Sequence, residues 1–413
     1  MAAVICAITC LQSAHAVGWG AAFILSVRRS VRESAALRTA DGGWRYQPRA
    51  AVILPCCGVD DRLEDTVRRL CRQEYGNYEV IFTFESADDP AYEAVGRWTA
   101  DASDPPRRRI VAGVTPHRGQ KIHNLLAALG QVRDDCEVFA FFDTDAVPGL
   151  WALGHLVAPL KEESVGAATG FRWYCAAGGL ANGVRCLWNA AAVSLMERRR
   201  TRFCWGGAMA MTRRRFEELH IAGRWQRALS DDLQVTRAVR EAGLDIRFVP
   251  QALVPSHDRT DLRGFVSFAR RQLIITRICA PRVWWAGLLL CGSFVMGGTV
   301  AAAAFFACLL GWIGSSGWMW LFLAAWMMVV VSATAKAALR QAAVRQVLGP
   351  PDLTWLDTWW DVGGAVSAGT LHFLLFLTSI GTNRIRWRHI SYELLSPDDT
   401  RIVQRHGPSK SAT

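Results

Sequence analysis

Two aspartates follow a hydrophobic run in the pattern Asp143-Thr144-Asp145, and their carboxylates are candidates for binding a cation. The run before them, Glu137–Phe142, reads EVFAFF and is typical of a buried strand. Neighbouring carboxylates repel one another unless a cation lies between them. Asp-x-Asp at the end of a strand suits a hard divalent ion, Mg²⁺ or Mn²⁺, which keeps positions open for substrate phosphates. In isolation, the same pattern also fits a solvated turn.

Further polar side chains follow other strand-like runs or begin helices. Acidic residues and a serine come after the run that begins at Tyr78, and an acidic pair follows Ser230; they are Glu85, Ser86, Asp88 and Asp89, then Asp231 and Asp232. Lys121 and Asn124 lie one helical turn apart and could offer a charge and a hydrogen bond to a phosphate or a ribose. The acidic pair also fits the beginning of a helix, where negative charge is favourable.

The order of the elements predicts how these residues meet. Between residues 40 and 282, strand-like and helix-like runs alternate, which predicts an α/β fold with a mostly parallel sheet and helices on both faces. Ligands of such folds bind at the carboxyl ends of the strands, where the polar residues stand. The predicted strands are Ala50–Pro55, Tyr78–Glu85, Arg109–Val114 and Glu137–Phe142, and the predicted helices are Asp61–Gln73 and Lys121–Leu129.

Uncharged stretches on both sides of this segment predict membrane-spanning helices. Residues 1–27 carry no charged side chain and precede three arginines within 28–32, which favours an uncleaved anchor with its N-terminus outside and the following chain in the cytoplasm. Residues 283–335 are long enough for two helices, with a turn expected at 314–317. Residues 362–383 could form one more span or a re-entrant segment.

The end of the chain carries conflicting signals. We expect about three helices within 283–383 and a basic tail over 384–413. Four spans in all would place that tail outside, whereas its arginines favour the cytoplasmic side. The topology of the last span therefore stays open at this point.

Composition agrees with a membrane protein. Of 413 residues, 51% are hydrophobic and 20% are charged, which excludes a disordered chain and disfavours a purely soluble enzyme. The net charge is +11, and the arginines accompany apolar stretches rather than forming a separate basic domain, so no nucleic-acid partner is expected. The twelve cysteines show no Cys-x-x-Cys spacing and indicate reduced thiols. Richness in Arg and Ala favours a bacterial source, hence an inner-membrane protein with a cytoplasmic catalytic domain.

The ordered set of motifs resembles the family-two glycosyltransferases of GT-A fold, and among them the ceramide glucosyltransferase-like branch. The resemblance spans residues 45–280 and the flanking apolar stretches. Its matching elements are Tyr78-Glu79-Val80, Asp88-Asp89-Pro90, Lys121-Ile122-His123-Asn124-Leu125, Phe142-Asp143-Thr144-Asp145, Gly206-Gly207 before Met209, and Asp231-Asp232. Arg270-Arg271-Gln272 stands where the family has its Gln-x-x-Arg-Trp element.

The resemblance implies a nucleoside-diphospho sugar as donor, with a UDP-sugar as the leading choice. The region of Glu85 and Asp88 would hold the nucleoside, and the other donor-binding positions would be Ser86, Lys121, Asn124, Asp143, Arg271 and Gln272. Arg270 and Arg271 could clamp the diphosphate, or their helix could lie on anionic headgroups.

The same resemblance implies a divalent ion and a catalytic base. Asp143 and Asp145 would face Mg²⁺ or Mn²⁺, and His257 could add a ligand, although a single histidine is more often a structural hydrogen-bonding group. Asp232 would take the proton from the acceptor hydroxyl, which gives inversion at the anomeric carbon. The acceptor would be a lipid hydroxyl beside the bilayer, with interfacial tryptophans at 355, 359 and 360.

Two alternatives stay open on the sequence. One is a polysaccharide synthase, which normally has more spans and a complete Gln-x-x-Arg-Trp element. The other is a non-catalytic membrane scaffold with a degenerate transferase domain. Ser86 stands where the branch usually has Asp, and Gln272 replaces the final Trp, so these two departures favour the scaffold.

Overall fold

The computed structural model describes residues 2–100, 105–176, 178–313, 316–350 and 352–406. Its centre is a seven-stranded sheet with the strand order β3-β2-β1-β4-β6-β5-β7. The strands are β1 Ala50–Pro55, β2 Tyr78–Phe84, β3 Arg107–Val111, β4 Val138–Phe142, β5 Val165–Tyr174, β6 Ala208–Thr212 and β7 Asp245–Ser256. Within this sheet, β6 is the one described strand that runs antiparallel to both of its neighbours, β4 and β5.

This sheet confirms the predicted α/β fold. The strands β1, β2, β3 and β4 pair in parallel. Strands β1 and β2 are buried along almost their whole length, as their continuous apolar runs require. The strand predicted at Arg109–Val114 begins two residues earlier, where Arg107 pairs with Val80 of β2, and ends three residues earlier, at Val111.

Helices cover both faces of the sheet. They are α2 Leu63–Leu70, α3 Pro90–Trp98, α4 Gln120–Leu129, α5 Ala152–Val157, α6 Leu180–Val193, α7 Arg213–Glu218, α8 Ile221–Arg224, α9 Asp231–Glu241 and α10 Leu262–Cys279. Helices α2, α3 and α5 pack into one core and α4, α7, α8 and α9 into the other. The predicted helix Asp61–Gln73 is shorter than expected, whereas the one at Lys121–Leu129 begins one residue earlier.

Three described helices are long and apolar enough to cross a membrane. They are α1 Ala2–Ser34, α11 Pro281–Leu309 and α12 Ser316–Val344. Part of the turn predicted at 314–317, namely residues 314 and 315, lies outside the described residues. The helix α1 continues past residue 27 and includes the arginines that follow the apolar run.

The stretch predicted as a further span or a re-entrant segment forms a bent pair of helices. Helix α13 Trp355–Thr358 and a π-helical turn at Trp359–Gly363 precede α14 Ala365–Thr378, and the two halves meet at 70°. Helix α14 has 14 residues, fewer than the ~20 that one straight span needs. A buried ion pair between Arg340 of α12 and Asp361 holds the bend against α12.

Residues 384–405 of the expected basic tail form a second sheet, whereas residues 407–413 lie outside the described part of the chain. Its strands are β8 Arg384–Trp387, β9 Ile390–Ser396 and β10 Asp399–Arg405, all antiparallel. Apolar side chains of this C-terminal sheet pack on α10 and on the segment before α9; they are Ile385, Ile390, Tyr392 and Leu394 against Leu229, Ile274 and Ile275. The C-terminal sheet therefore packs on the domain that contains the central sheet, and Arg405 reaches Glu85 at the end of β2. The number of spans and the side of the tail belong to the proposal below.

Candidate active site

Charged side chains from three elements meet at the carboxyl ends of the central strands. Lys121 lies in the first turn of α4, Asp143 follows β4, and Asp231 begins α9. Lys121 Nζ lies 2.8 Å from Asp143 Oδ1 and 3.1 Å from Asp231 Oδ2. It also donates to the carbonyl oxygen of Gly206 at 3.3 Å. One buried ammonium therefore holds two carboxylates that are distant in sequence.

The titration of these groups follows from burial and from their charges. Burial alone lowers the pKa of Lys121, but the three carboxylates Asp143, Asp231 and Asp232 raise it above its ordinary value. Burial raises the pKa of Asp231 to about 6, with Lys121 opposing the shift and Asp232 and Asp143 adding to it. Lys121 therefore stays protonated, while Asp231 gains or loses its proton near pH 6.

Asp232 is held in place by three hydrogen-bond donors. The Gly206 amide donates to its Oδ2 at 3.1 Å, and Ser230 Oγ and the Leu233 amide donate to Oδ1 at 2.5 and 2.8 Å. Asp231 is buried, whereas Asp232 is only partly buried. Since Gly206 contacts both Lys121 and Asp232, the second aspartate of α9 belongs to the same site.

Asp145 binds a buried arginine that the sequence analysis did not select. Arg172 of β5 donates from Nη2 and Nη1 to Asp145 Oδ1 and Oδ2 at 2.5 and 2.7 Å. Burial by itself would raise the pKa of Asp145, but Arg172 lowers it to about 2. Arg172 also reaches the hydroxyl of Tyr174 at 3.1 Å and lies 4.0 Å from Asp258 Oδ2. The sequence feature that could have identified Arg172 is a charged residue within an otherwise largely apolar strand, β5.

The donor set fits a divalent ion that also binds phosphate. No group of three His, Cys, Asp or Glu side chains that could hold a metal occurs among the described residues. Mg²⁺ needs only one or two carboxylates when substrate phosphates supply other ligands. Asp143 and Asp145 are the candidate carboxylates, and in this structure they are paired with Lys121 and Arg172. The buried Asp258 Oδ1, near Arg172, has no hydrogen-bond partner within the described part of the chain.

His257 does not join Asp143 and Asp145 in a metal-binding group. Its Nε2 lies 3.6 Å from Asp352 Oδ1, and no described cluster includes it. The ring is therefore directed to a partner on the segment before α13. Its neighbour Asp258 is the residue of this segment that approaches Arg172.

Two of the predicted nucleoside-binding residues form a separate exposed turn. Ser86 Oγ donates to Asp88 Oδ2 at 3.3 Å and accepts from the Asp88 amide at 3.1 Å. The next residue, Asp89, caps α3 by accepting from the Ala91 amide and also accepts from the Gly58 amide. None of these contacts reaches the cluster around Lys121.

Glu85 binds the C-terminal sheet. Arg405 Nη1 lies 2.6 Å from Glu85 Oε1, and His389 Nε2 lies 3.2 Å from Oε2. Arg405 also donates to the carbonyl of Thr115 and to Gln120 Oε1, both at 2.9 Å. The strands β8–β10 thus cover the end of β2, which is the edge where a nucleoside was expected.

Asn124 and the two residues of the Arg-Gln element take supporting positions. Gln120 Nε2 donates to Asn124 Oδ1 at 2.9 Å, so Asn124 orients the first residue of α4. Arg271 lies 5.5 Å from the ring centres of both Phe268 and Trp387, and burial lowers its pKa. Gln272 accepts at its carbonyl from Thr276 Oγ1.

Arg270 points away from the charged cluster. Its Nε donates to the carbonyl of Thr378 at the end of α14. Two arginines were expected to bind a diphosphate, and of these only Arg271 lies near the charged residues of the site. The charges of Tyr174, Asp145 and Arg172 influence the pKa of Arg271.

Several residues at this edge were not singled out from the sequence. They are Asp60, Gln120, Arg172, Tyr174, Asp258, His389 and Arg405. Arg388 is one of the tail arginines that entered only the prediction of topology. Most lie in segments whose sequence has no catalytic motif. These residues lie at the site because elements that are far apart in the chain pack against one another.

Comparisons with solved structures return proteins of low identity. The mannosyltransferase PcManGT from Pyrobaculum calidifontis, in complex with GDP-Man and Mn²⁺, is 18% identical over 90% of this chain and 99% of its own, with a TM-score of 0.42. Glucosyl-3-phosphoglycerate synthase from Mycobacterium tuberculosis, in complex with Mn²⁺, UDP and glucosyl-3-phosphoglycerate, is 17% identical over 55% and 78% of the two chains, with a TM-score of 0.38. None of the curated proteins compared with the chain matches it.

The family assignment comes from a family model that covers nearly the whole chain. The model described as "Glycosyl transferase family 21" matches residues 10–399, from the first apolar helix to the C-terminal sheet. The resemblance drawn from the motifs named family two, so the number of the family changes while the class of enzyme does not. The chain is a member of glycosyl transferase family 21.

Proposed function

We propose that this protein is a membrane-bound inverting glycosyltransferase that moves a hexose from a nucleoside-diphospho sugar to a lipid hydroxyl. The observation that carries the proposal is the contact of Lys121 with both Asp143 and Asp231, beside Asp232, at the carboxyl ends of the strands. A cationic group next to carboxylates is suited to a metal-bound diphosphate on one side and an acceptor hydroxyl on the other.

The donor end of the site combines a cation with carboxylates, a set that suits a metal-bound diphosphate. Lys121 stays protonated and lies at the N-terminus of α4, where backbone N–H groups favour anions. Asp143 and Asp145 would hold Mg²⁺ or Mn²⁺, which when bound would offset the charge of the leaving diphosphate. Arg172 keeps Asp145 ionised and fixes its orientation.

Asp232 is the proposed general base. Its carboxylate is fixed by Gly206, Ser230 and Leu233 and is more accessible than that of Asp231. It would accept the proton of the acceptor hydroxyl as that oxygen forms its bond to the anomeric carbon. The bond from that carbon to the diphosphate oxygen breaks on the opposite side, which inverts the configuration.

The arrangement of apolar helices supports a lipid acceptor. Three described helices can span a bilayer, and the bent pair α13–α14 exposes Trp355 and Trp359, as interfacial tryptophans are exposed. We propose three spans with α13–α14 re-entrant, since the C-terminal sheet packs on the catalytic domain. In more detail, we propose that the donor is a UDP-sugar and that the acceptor is a lipid of the kind used by the ceramide glucosyltransferase-like branch.

Transfer of a radiolabelled hexose tests the proposal directly. Membranes containing the full-length protein are incubated with UDP-glucose or UDP-galactose, with GDP-mannose in parallel, and with Mg²⁺, Mn²⁺ or a chelator. Extracted lipids are then examined by mass spectrometry. We expect a lipid heavier by one hexose and dependent on the divalent ion. A polymeric product, or no transfer together with no nucleotide binding, contradicts the proposal.

The variant Asp232→Asn assigns the base. General-base catalysis contributes ~10²–10⁴-fold, so we expect a rate loss of that size with normal membrane insertion. Asp134→Asn is the matched control, because Asp134 is an exposed aspartate outside the site. Near-normal turnover in a folded Asp232→Asn protein removes Asp232 from this role.

A further inference from the structure

The turn between β8 and β9 contains an arginine in an unusual backbone conformation. Arg388 and His389 form a two-residue connection between the paired residues Trp387 and Ile390. Arg388 has φ 54, a left-handed value that favours glycine. Among the described residues, His220 is the only other non-glycine residue with positive φ. Backbone strain of this kind is typical of residues kept for a function.

The guanidinium of Arg388 lies beside the Asp143-Thr144-Asp145 motif. Its Nη2 donates to Asp60 Oδ2 at 3.0 Å, and the same oxygen accepts from Thr144 Oγ1 at 3.3 Å. Thr144 stands between the two aspartates proposed to hold the metal. The turn therefore brings a cation to the end of β4 from a segment more than 300 residues away from Asp60 in sequence.

Residues close to Arg388 hold the turn in place, and they do not occupy the N–H donors of its guanidinium. His389 and Arg405 both bind Glu85 at the end of β2, and the Tyr392 hydroxyl accepts from the Gln120 amide at 3.2 Å. The Arg388 side chain is 46% exposed, and Asp60 is its one hydrogen-bond partner within the described part of the chain. Other N–H groups of its planar fork are therefore available to a ligand.

We propose that Arg388 binds the diphosphate of the nucleotide donor. This inference rests on the proposed function and adds a donor-binding residue from the C-terminal sheet. The diphosphate would lie between Lys121 and Arg388, and a phosphate oxygen would replace or share the contact with Asp60. A guanidinium suits this role because its fork matches two phosphate oxygens.

The alternative interpretation is that Arg388 only stabilises the turn through its hydrogen bond to Asp60. The two interpretations predict different effects of Arg388→Gly. Glycine adopts the left-handed conformation without strain, so Arg388→Gly keeps the turn while it removes the cation. Asp60→Asn weakens this hydrogen bond but leaves the guanidinium free to bind phosphate.

Nucleotide titration of the full-length protein in detergent, with Mn²⁺ present, separates these cases. The probes are UDP and GDP with their nucleosides uridine and guanosine, and the variants are Arg388→Gly, Arg388→Lys, Asp60→Asn and Arg384→Gln. Arg384 is an exposed arginine on β8 that pairs with Glu393, so its variant is the matched control.

For the nucleotide that the wild type binds, we expect Arg388→Gly to weaken the diphosphate roughly 10- to 100-fold, the range for hydrogen bonds to charged groups. We expect unchanged nucleoside affinity and an equal or higher melting temperature. Arg388→Lys should lose less, and Arg384→Gln and Asp60→Asn should bind the diphosphate as well as the wild type.

Three results overturn the inference alone. Equal diphosphate affinity in Arg388→Gly removes the contact, and an equal loss for nucleoside and diphosphate shows a collapsed pocket instead. An equal loss in Asp60→Asn shows that Arg388 acts through its hydrogen bond to Asp60. A wild type that binds neither UDP nor GDP contradicts the proposed function itself and the inference with it, whereas the other three results leave the proposed function intact.

Discussion

Lys121 Nζ lies 2.8 Å from Asp143 Oδ1, and this contact joins the beginning of α4 to the end of β4. Both groups are largely buried, and Asp231 completes the cluster at 3.1 Å from the same nitrogen. A buried ion pair of this kind costs desolvation energy and contributes little net stability, although the loss of one partner is costly. Its position at the strand ends agrees with the proposed role of Lys121 and Asp143 in donor binding.

Replacing Lys121 by methionine should abolish activity and reduce stability. The change leaves Asp143 and Asp231 without their cation, and removing one partner of a buried pair costs about 3–5 kcal/mol. Thermal unfolding and hexose transfer measure the two effects. Lys161→Met is the matched control, because Lys161 is exposed at the end of a short helix. Activity within twofold of the wild type in Lys121→Met would show that the cation is dispensable.

Activity should depend on pH through Asp231. Its pKa is raised to about 6, so it is ionised above pH 6 and protonated below. Protonation removes one of the counter-charges that position Lys121, and we expect the rate to fall as pH decreases through 6. Asp231→Asn should have a low rate without this acidic limb.

The same group should affect stability in the opposite direction. An unfolded aspartate has a pKa of about 3.9, so the folded state binds more protons between pH 4 and 6, and stability falls as pH rises through that window. Comparing the melting temperatures of wild type and Asp231→Asn across pH 4–7 isolates this contribution. A melting-temperature difference that does not vary with pH would contradict the shifted titration.

Arg172→Gln should weaken both the site and the fold. It leaves the partly exposed Asp145 without its bidentate partner, so the pKa of Asp145 should rise from its value of about 2. We expect at least a tenfold loss of transfer and about 1.5 kcal/mol of destabilisation, at the low end for hydrogen bonds to charged groups because solvent reaches Asp145. Arg247→Gln serves as the comparison, since Arg247 forms a more exposed pair with Glu162, and such pairs contribute ~0–1 kcal/mol. Similar losses in the two variants would argue against a special role for Arg172.

Deleting residues 384–413 should inactivate the protein without preventing membrane insertion. The deletion uncovers Leu229, Ile274 and Ile275 and removes both partners of Glu85. Each apolar side chain that becomes exposed costs ~1.5–3 kcal/mol, so the catalytic domain should unfold at a lower temperature. A deletion that begins after His406 keeps all three strands and should behave as the wild type. Full activity in the longer deletion would exclude a role for this sheet.

Much of the architecture follows from local patterns in the sequence. The apolar runs of β1, β2 and β4, the uncharged stretches that form α1, α11 and α12, and the Asp-x-Asp motif at a strand end could all be predicted. These features depend on hydrophobicity and periodicity within a few residues. The bent pair α13–α14 could not be resolved, because its composition suits a span and a re-entrant segment equally well.

Composition and short-range patterns predict an α/β domain with a carboxylate motif at the strand ends and apolar helices on either side. The contacts of Lys121 with Asp143 and Asp231, the pairing of Arg172 with Asp145, and the contact of the C-terminal strands with the site exist only in the folded chain. Arg405 and Glu85, for example, are 320 residues apart. Ion pairs have no sequence period, so in a chain with 47 basic residues the packing of distant elements selects which of them meets each carboxylate.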